Sequence, residues 1–310
     1  ADQAPVDPRS GVMRHWPLAP VDAERLLATG ATEVRRAVDA GAGVTGAMRL
    51  TLFFPAAGVE VDAKWKPVPR GDFDSWNNSP RKELAAAAVQ RWFLEPSEWV
   101  VPATAMRCLP RADLCRVGAC EPPTLSGGDC VLGVLSLWLR EVEVPERLYE
   151  PWRFAGDAAY AYHLADFNLL TYLIDHRDGR SGNVLVSTDA TNRRVFAVDN
   201  GISFGPWIYN YFVRNWNDVR VPALRRASIA KLRQVGRPQV DALGVVAELR
   251  DDGSGHLLPH GPGVNLDPER GVRRASQIVQ FGLAEDEIED LRERIEELLE
   301  EIDEGDLAVF

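Results

Sequence analysis

The run His176-Arg177-Asp178-Gly179-Arg180-Ser181-Gly182-Asn183 sets a carboxylate and an amide five residues apart, between an apolar helical stretch and a short strand-like run. A loop of that length can fold back so that both side chains face one cleft. Asp178 then suits a general base for a hydroxyl, and Asn183 an oxygen ligand for a cation. The plainer alternative is a polar helix-to-strand turn. Sixteen residues after Asn183, the apolar run Phe196-Ala-Val ends in Asp199-Asn200-Gly201. An Asp at the end of a strand, in register with the loop before it, supplies a second oxygen donor for Mg²⁺ or Mn²⁺ held with a nucleotide.

Upstream, Val59–Lys66 alternates: Val59, Val61, Ala63 and Trp65 are apolar, while Glu60, Asp62, Lys64 and Lys66 share the other face. Either Lys64 or Lys66 could meet phosphate, and strand parity does not choose between them. The chain holds four lysines in all, Lys64, Lys66, Lys82 and Lys231, the other basic residues being arginine, so the close pair is informative. Glu83, on the first turn of the next helix, is placed to pair with such a lysine, although an acid there also suits the helix dipole. Gly41, Gly43 and Gly46 match Gly-x-Gly-x-x-Gly before a strand, where backbone amides could cover phosphates. Phosphoryl transfer from ATP needs a cation on the phosphates, oxygen ligands for metal and a carboxylate on the acceptor hydroxyl, and those parts stand here in that order.

The elements that must position them are strand-rich first and helix-rich afterwards. A Pro-rich arm covers the first twenty residues. Leu26, Leu27, Val34 and Val38 predict a helix over about 22–40. Met48–Phe54 and Val59–Lys66 read as strands joined by a Pro-Ala-Ala-Gly turn. Ser79-Pro80 opens a helix that stops before Pro96. Val131–Leu139 reads as an apolar strand, Ala158–Ile174 as a helix, and Val184–Ser187 and Val195–Val198 as short strands. Helical segments are expected to fill the rest, ending in an acidic helix over about Glu285–Asp303. Its seam of Ile288, Leu291, Ile295, Leu298 and Ile302 will bury, either on its own lobe or against a partner or second copy.

The net charge of −11 is local, because the segment 284–306 carries all of it and the remainder balances. Nothing gives a nucleic-acid footprint. No run of eighteen apolar residues exists, so no membrane span is expected. The opening ADQAP lacks a basic start followed by an apolar stretch; a mature form whose leader has been removed stays open. Cys108, Cys115, Cys120 and Cys130 lie close together in a Pro-, Gly- and Asp-rich region. Two disulfides in an oxidising compartment are the reading, with free thiols and a zinc site as alternatives.

The residues resemble the secretory-pathway kinases named "family with sequence similarity 20", the group of the Golgi casein kinase, the proteoglycan xylose kinase and Four-jointed. Ala63-Lys-Trp-Lys66-Pro67 is similar to that family's phosphate-lysine strand, which selects Lys66 over Lys64. Ser79-Pro-Arg-Lys-Glu83, followed by Val101-Pro102, is similar to its paired-glutamate helix. Asp166 to Asp178 is similar to the helix and loop that end in its catalytic aspartate. Asp199-Asn200-Gly201-Ile-Ser-Phe204-Gly205 matches its D-N-G-x-x-F-G. The match covers about 40–210 and departs after Asp178, where the family has Asp-Arg-His.

The resemblance implies a bacterial relative with an α+β, two-lobed atypical protein-kinase-like fold. Residues 1–140 would form the strand-rich N-lobe and 141–310 the helical C-lobe. It implies an extracytoplasmic enzyme using ATP with Mn²⁺ or Mg²⁺ on a protein or glycan hydroxyl. Asp178 would be catalytic, Lys66, Glu83, Gly43 and Gly46 would hold the nucleotide, and Asn183 and Asp199 the metal. A nucleotide-binding pseudokinase, or a small-molecule or lipid kinase of the atypical group, is the alternative.

Overall fold

The computed structural model describes residues 14–41, 46–69, 71, 73–74, 79–180, 182–205 and 215–310. Its first sheet is antiparallel, with β1 (Glu33–Asp39), β2 (Met48–Phe54), β3 (Val59–Pro67), β4 (Thr104–Pro110) and β5 (Cys130–Leu137) in the order β1-β2-β3-β5-β4. The alternation read in β3 holds: Val61, Ala63 and Trp65 are buried in the core, which leaves Asp62 and Lys64 on the opposite face. A fully buried valine such as Val61 contributes roughly 1.5–3 kcal/mol relative to exposure. Gly133, on β5, lets the Trp65 ring cross the strand, since a Cβ there would stand 2.5 Å from it.

The single helix expected over 22–40 is two elements. Helix α1 (Pro20–Thr29) stops at Gly30, and Glu33–Asp39 is β1. Val34 and Val38 are four apart, a helical spacing, but in the strand a bulge between Val34 and Arg36 shifts the register, so Val34 stands opposite buried Leu52 and Val38 opposite Arg49. Gly30 decides the break: a Cβ there would lie 2.8 Å from the Leu26 carbonyl and 3.0 Å from Phe54.

Helix α2 (Pro80–Val89) starts at Ser79 as read from the sequence, and α3 (Arg111–Arg116) follows β4. Cys108 of β4 bonds to Cys130 of the neighbouring β5, and Cys115 of α3 bonds to Cys120. The free-thiol and zinc alternatives fall with those pairs.

After β6 (Val142–Glu143) and α4 (Pro151–Gly156), the long helix α5 (Ala158–Leu173) runs through the core. It leads to β7 (Val184–Ser187) and β8 (Val195–Ala197), which form a three-stranded sheet with β6. Strand β9 (Ala223–Leu224) and the short helices α6 (Arg226–Leu232) and α7 (Arg237–Asp241) come next.

The expectation that helices fill the rest is corrected by a second antiparallel sheet. Strands β10 (Ala247–Asp251), β11 (Leu257–His260), β12 (Val272–Ala275) and β13 (Ile278–Phe281) pair in the order β11-β10-β13-β12. Its Leu249, Leu257, Val279 and Phe281 share a core with Met106, Leu132 and Val134 of the first sheet and Leu84 of α2. Helix α8 (Glu285–Glu304) closes the chain before β14 (Ala308–Val309). Its Ile288, Leu291, Ile295 and Leu298 are buried in the chain's own main core, with Ile302 packed against it. Among the described residues, no helix is long and apolar enough to cross a membrane.

Candidate active site

Strand β3 delivers Lys66 to the inside of the molecule, where its side chain is 3% exposed. Helix α2 delivers Glu83 from its first turn, and Glu83 Oε1 accepts from Lys66 Nζ at 3.0 Å. The other carboxylate oxygen, Oε2, accepts from the backbone N–H of Asn200 at 2.9 Å. Glu83 therefore ties the strand lysine to the Asp199-Asn200-Gly201 turn. Asp199 adopts φ 62°, in the left-handed region that a non-glycine residue enters at a cost. That conformation turns its carboxylate onto both lysines: Oδ1 lies 2.5 Å from Lys66 Nζ and Oδ2 lies 3.0 Å from Lys64 Nζ.

Burial alone would lower the Lys66 ammonium, yet Glu83 and Asp199 outweigh it and hold the lysine above its ordinary value. Burial would raise Asp199, and Lys66 with Lys64 reverse that, holding the carboxyl below the usual range and ionised.

The loop after α5 delivers Asp178 and Asn183. The Asn183 amide Nδ2 donates to the Asp178 carbonyl and to Asp178 Oδ2, both at 3.0 Å. Two acceptors fix the orientation of the amide, which leaves Asn183 Oδ1 as its remaining acceptor. Arg180 Nε also lies on Asp178 Oδ2, at 3.1 Å. Asp178 Oδ1 is buried and has no hydrogen-bond partner among the described residues. The backbone N–H of Val198 donates to the Asn183 carbonyl at 2.9 Å, which joins this loop to the strand leading into Asp199. His176 is buried, and burial lowers its imidazole below the ordinary value.

Lys64, Glu83, Arg180, Asn183, Asp199 and Asn200 line a cleft of about 600 Å³, to which Lys66 and Asp178 connect through Glu83 and Asn183. Lys64, Glu83, Asn183 and Asp199 form its polar side, while Val101, Leu137, Leu139, Leu185 and Val198 supply an apolar one. A flat aromatic base fits the second and a polyphosphate the first. The donors suit a hard divalent cation: an ionised carboxylate on Asp199, the Asn183 carbonyl oxygen, and Asn200 Oδ1, which is buried without a partner among the described residues.

The structure thus brings together Lys66, Glu83, Asp178, Asn183 and Asp199. Gly46 does not join them. It has φ 66° and borders a separate groove with Pro67, Val68 and Thr124. The pairing of Met48 with Trp65 sets the chain before β2 beside the end of β3 that carries Lys66 and Pro67. Gly43 lies outside the described residues. Sequence reasoning assigned no role to Arg180, although it sits inside the Asp178–Asn183 run. Lys82 was also passed over: its Nζ lies 3.0 Å from Glu287 Oε1 and 3.3 Å from the Phe204 carbonyl. The signal was its rarity in an arginine-rich chain.

No family model matches the chain, and no curated protein matches it. Solved structures are similar to it at low identity, among them two of the Golgi casein kinase. One is a crystal structure of the Golgi casein kinase with Mn/ADP bound, at TM-score 0.46 and 12% identity, covering 73% of this chain and 66% of that one. The other is a crystal structure of the Golgi casein kinase, at TM-score 0.44 and 13% identity with the same coverage. The chain therefore spans 66% of the length of each.

Proposed function

We propose that this chain is an ATP-dependent kinase that moves the γ-phosphoryl group to a hydroxyl of a protein serine or threonine, or of a glycan, outside the cytoplasm. One observation carries the reading. Glu83, Asp199 and Asn183 come from separate stretches of chain yet line one cleft, and they hold Lys66 and Asp178 as their partners there. The proposed division is a lobe within 1–140 and another within 141–310.

Lys66 would sit against the nucleotide phosphates, kept charged and aimed by Glu83. Asp199 and Asn183 would hold Mn²⁺ or Mg²⁺, which when bound neutralises charge on the phosphate oxygens. Asp178 Oδ1, unpartnered and flanked by the Arg180 and Asn183 contacts on Oδ2, would accept the hydrogen bond of the acceptor hydroxyl. As the hydroxyl oxygen attacks the γ-phosphorus and the bond to the β–γ bridging oxygen breaks to release ADP, the hydroxyl proton would pass to that atom. The two disulfides support an oxidising compartment.

The test is transfer of labelled γ-phosphate from ATP to candidate proteins and glycans, with Mn²⁺ and Mg²⁺ supplied separately, for the wild type and Asp199→Ala. Transfer by the wild type and none by the variant is expected. ATP binding without transfer to any acceptor would replace the kinase with a nucleotide-binding regulator.

A further inference from the structure

Both oxygens of Asp199 are occupied by lysines, Oδ1 by Lys66 at 2.5 Å and Oδ2 by Lys64 at 3.0 Å. A divalent cation reaching this carboxylate must displace one of them, because a cation and an ammonium on the same oxygen repel. The two lysines are not equivalent. Lys66 is 3% exposed and held from its other side by Glu83, so its withdrawal would strand two buried charges. The Lys64 side chain is 25% exposed and borders the cleft, and among the described residues Asp199 is its one ion-pair partner. Its four-carbon stem can reorient around a Cα fixed in β3.

We infer that Lys64 is a second phosphate ligand, parked on Asp199 until a divalent cation takes that oxygen and then turned onto the nucleotide phosphates. The inference rests on the phosphoryl-transfer reading of the cleft and adds a residue to it. Once displaced, the Lys64 ammonium needs a negative partner, and both Glu83 oxygens are already engaged by Lys66 and the Asn200 N–H. An incoming polyphosphate supplies that charge at the same face of β3. Lys64 would then couple the two ligands, since the cation releases it and the nucleotide receives it.

The coupling predicts effects of opposite sign, which a general loss of positive charge would not give. Cation alone competes with Lys64, so neutralising the lysine tightens that binding. Nucleotide with cation uses Lys64, so the same change weakens it. The experiment is calorimetric titration of wild type, Lys64→Met and Lys64→Gln with Mn²⁺ alone, and with ADP at saturating Mn²⁺. Each neutral variant is expected to bind Mn²⁺ alone about fivefold more tightly and ADP with Mn²⁺ about fivefold more weakly, the size of a partly exposed ion pair. Lys64→Gln carries the test if Lys64→Met does not fold. Two constants that both weaken, or neither of which moves, overturn the role of Lys64 and leave the cleft reading standing. A wild type that binds neither Mn²⁺ nor ADP overturns both.

Discussion

Replacing Asp178 by asparagine separates the proposed base from the ligands around it. In the wild type, Oδ2 accepts from Asn183 Nδ2 at 3.0 Å and from Arg180 Nε at 3.1 Å, while Oδ1 has no partner. In Asp178→Asn the amide oxygen must take the Oδ2 position, because an NH₂ there would face two donors. The NH₂ then occupies the place of Oδ1, where it cannot accept a proton. Positioned bases contribute about 10²–10⁴ in rate, equivalent to roughly 3–5 kcal/mol of barrier.

The structural cost is smaller. Arg180 is nearly half exposed, so the loss of its ion pair is worth about 1 kcal/mol or less after solvent screening. Lys66, Asn183 and Asp199 stay in place, so nucleotide affinity should hold within a few-fold. The assay pairs single-turnover transfer with ADP titration at one Mn²⁺ concentration. Activity within about threefold of wild type, far short of the general-base range, refutes the base assignment. Loss of ADP binding together with activity would make Asp178 a ligand or a structural residue.

Glu83→Gln leaves Lys66 with Asp199 but removes one buried charged acceptor. A loss of about 1–3 kcal/mol in urea unfolding is expected, and no loss would place the lysine's charge on Asp199 alone. The Cys108–Cys130 bond spans 22 residues and Cys115–Cys120 spans 5. Loop entropy assigns them about 3 and about 2 kcal/mol, so paired Cys→Ser changes should lower stability in that order, and the reverse order in chemical denaturation counts against it. Asp166 of α5 is buried, and burial pushes its carboxyl up to about 6 although Arg225 at 3.0 Å and Ser228 at 2.5 Å favour its charged form. The folded value lies above the unfolded one, so the folded state binds this proton more tightly. The stability it contributes is full below about pH 4 and falls by up to about 3 kcal/mol as pH rises through 6. Asp166→Asn should remove that slope in urea titrations between pH 4 and 7, and an unchanged slope would refute the assignment.

The site was legible where chemistry is packed into short runs. Asp178 with Asn183, and Asp199 with Asn200, need only a loop and a strand end, and β2, β3 and α2 announce themselves by alternation and by Ser79-Pro80. What failed to show is the pairing that hides polar residues inside. Strand β4 carries Arg107 midway, and its guanidinium donates to the Leu26 and Leu27 carbonyls of α1 at 3.3 Å. In the second sheet, buried Glu248 accepts from Gln280 at 2.8 Å, while buried Arg273 donates to the Gly244 and Leu283 carbonyls. Those side chains read as surface in a sequence, because their partners lie in other elements and no local period reports them. The choice between Lys64 and Lys66 has the same origin. Parity gave them one face, and burial with Glu83 separates them.

The acidic helix shows how charge by composition conceals position. Most of the acids of α8 are exposed, including Glu285, Asp286 and Glu289. Glu287, two residues into the same run, turns inward instead. It binds the Arg81 guanidinium through both oxygens, lies 3.0 Å from Lys82 Nζ, and accepts from the backbone N–H of Ala284 at its own helix start at 2.9 Å. Arg81 and Lys82 immediately precede Glu83, and Lys82 also donates to the carbonyl of Phe204, five residues beyond Asp199. One carboxylate from the end of the chain thus fixes the helix that aims Lys66 and braces the segment that follows the Asp199 turn. Breaking a buried, multiply bonded group of this kind leaves Lys82 without its ion-pair partner and Arg81 with Asp74 alone. The segment that accounts for the net charge is therefore also part of the frame that holds the cleft in register.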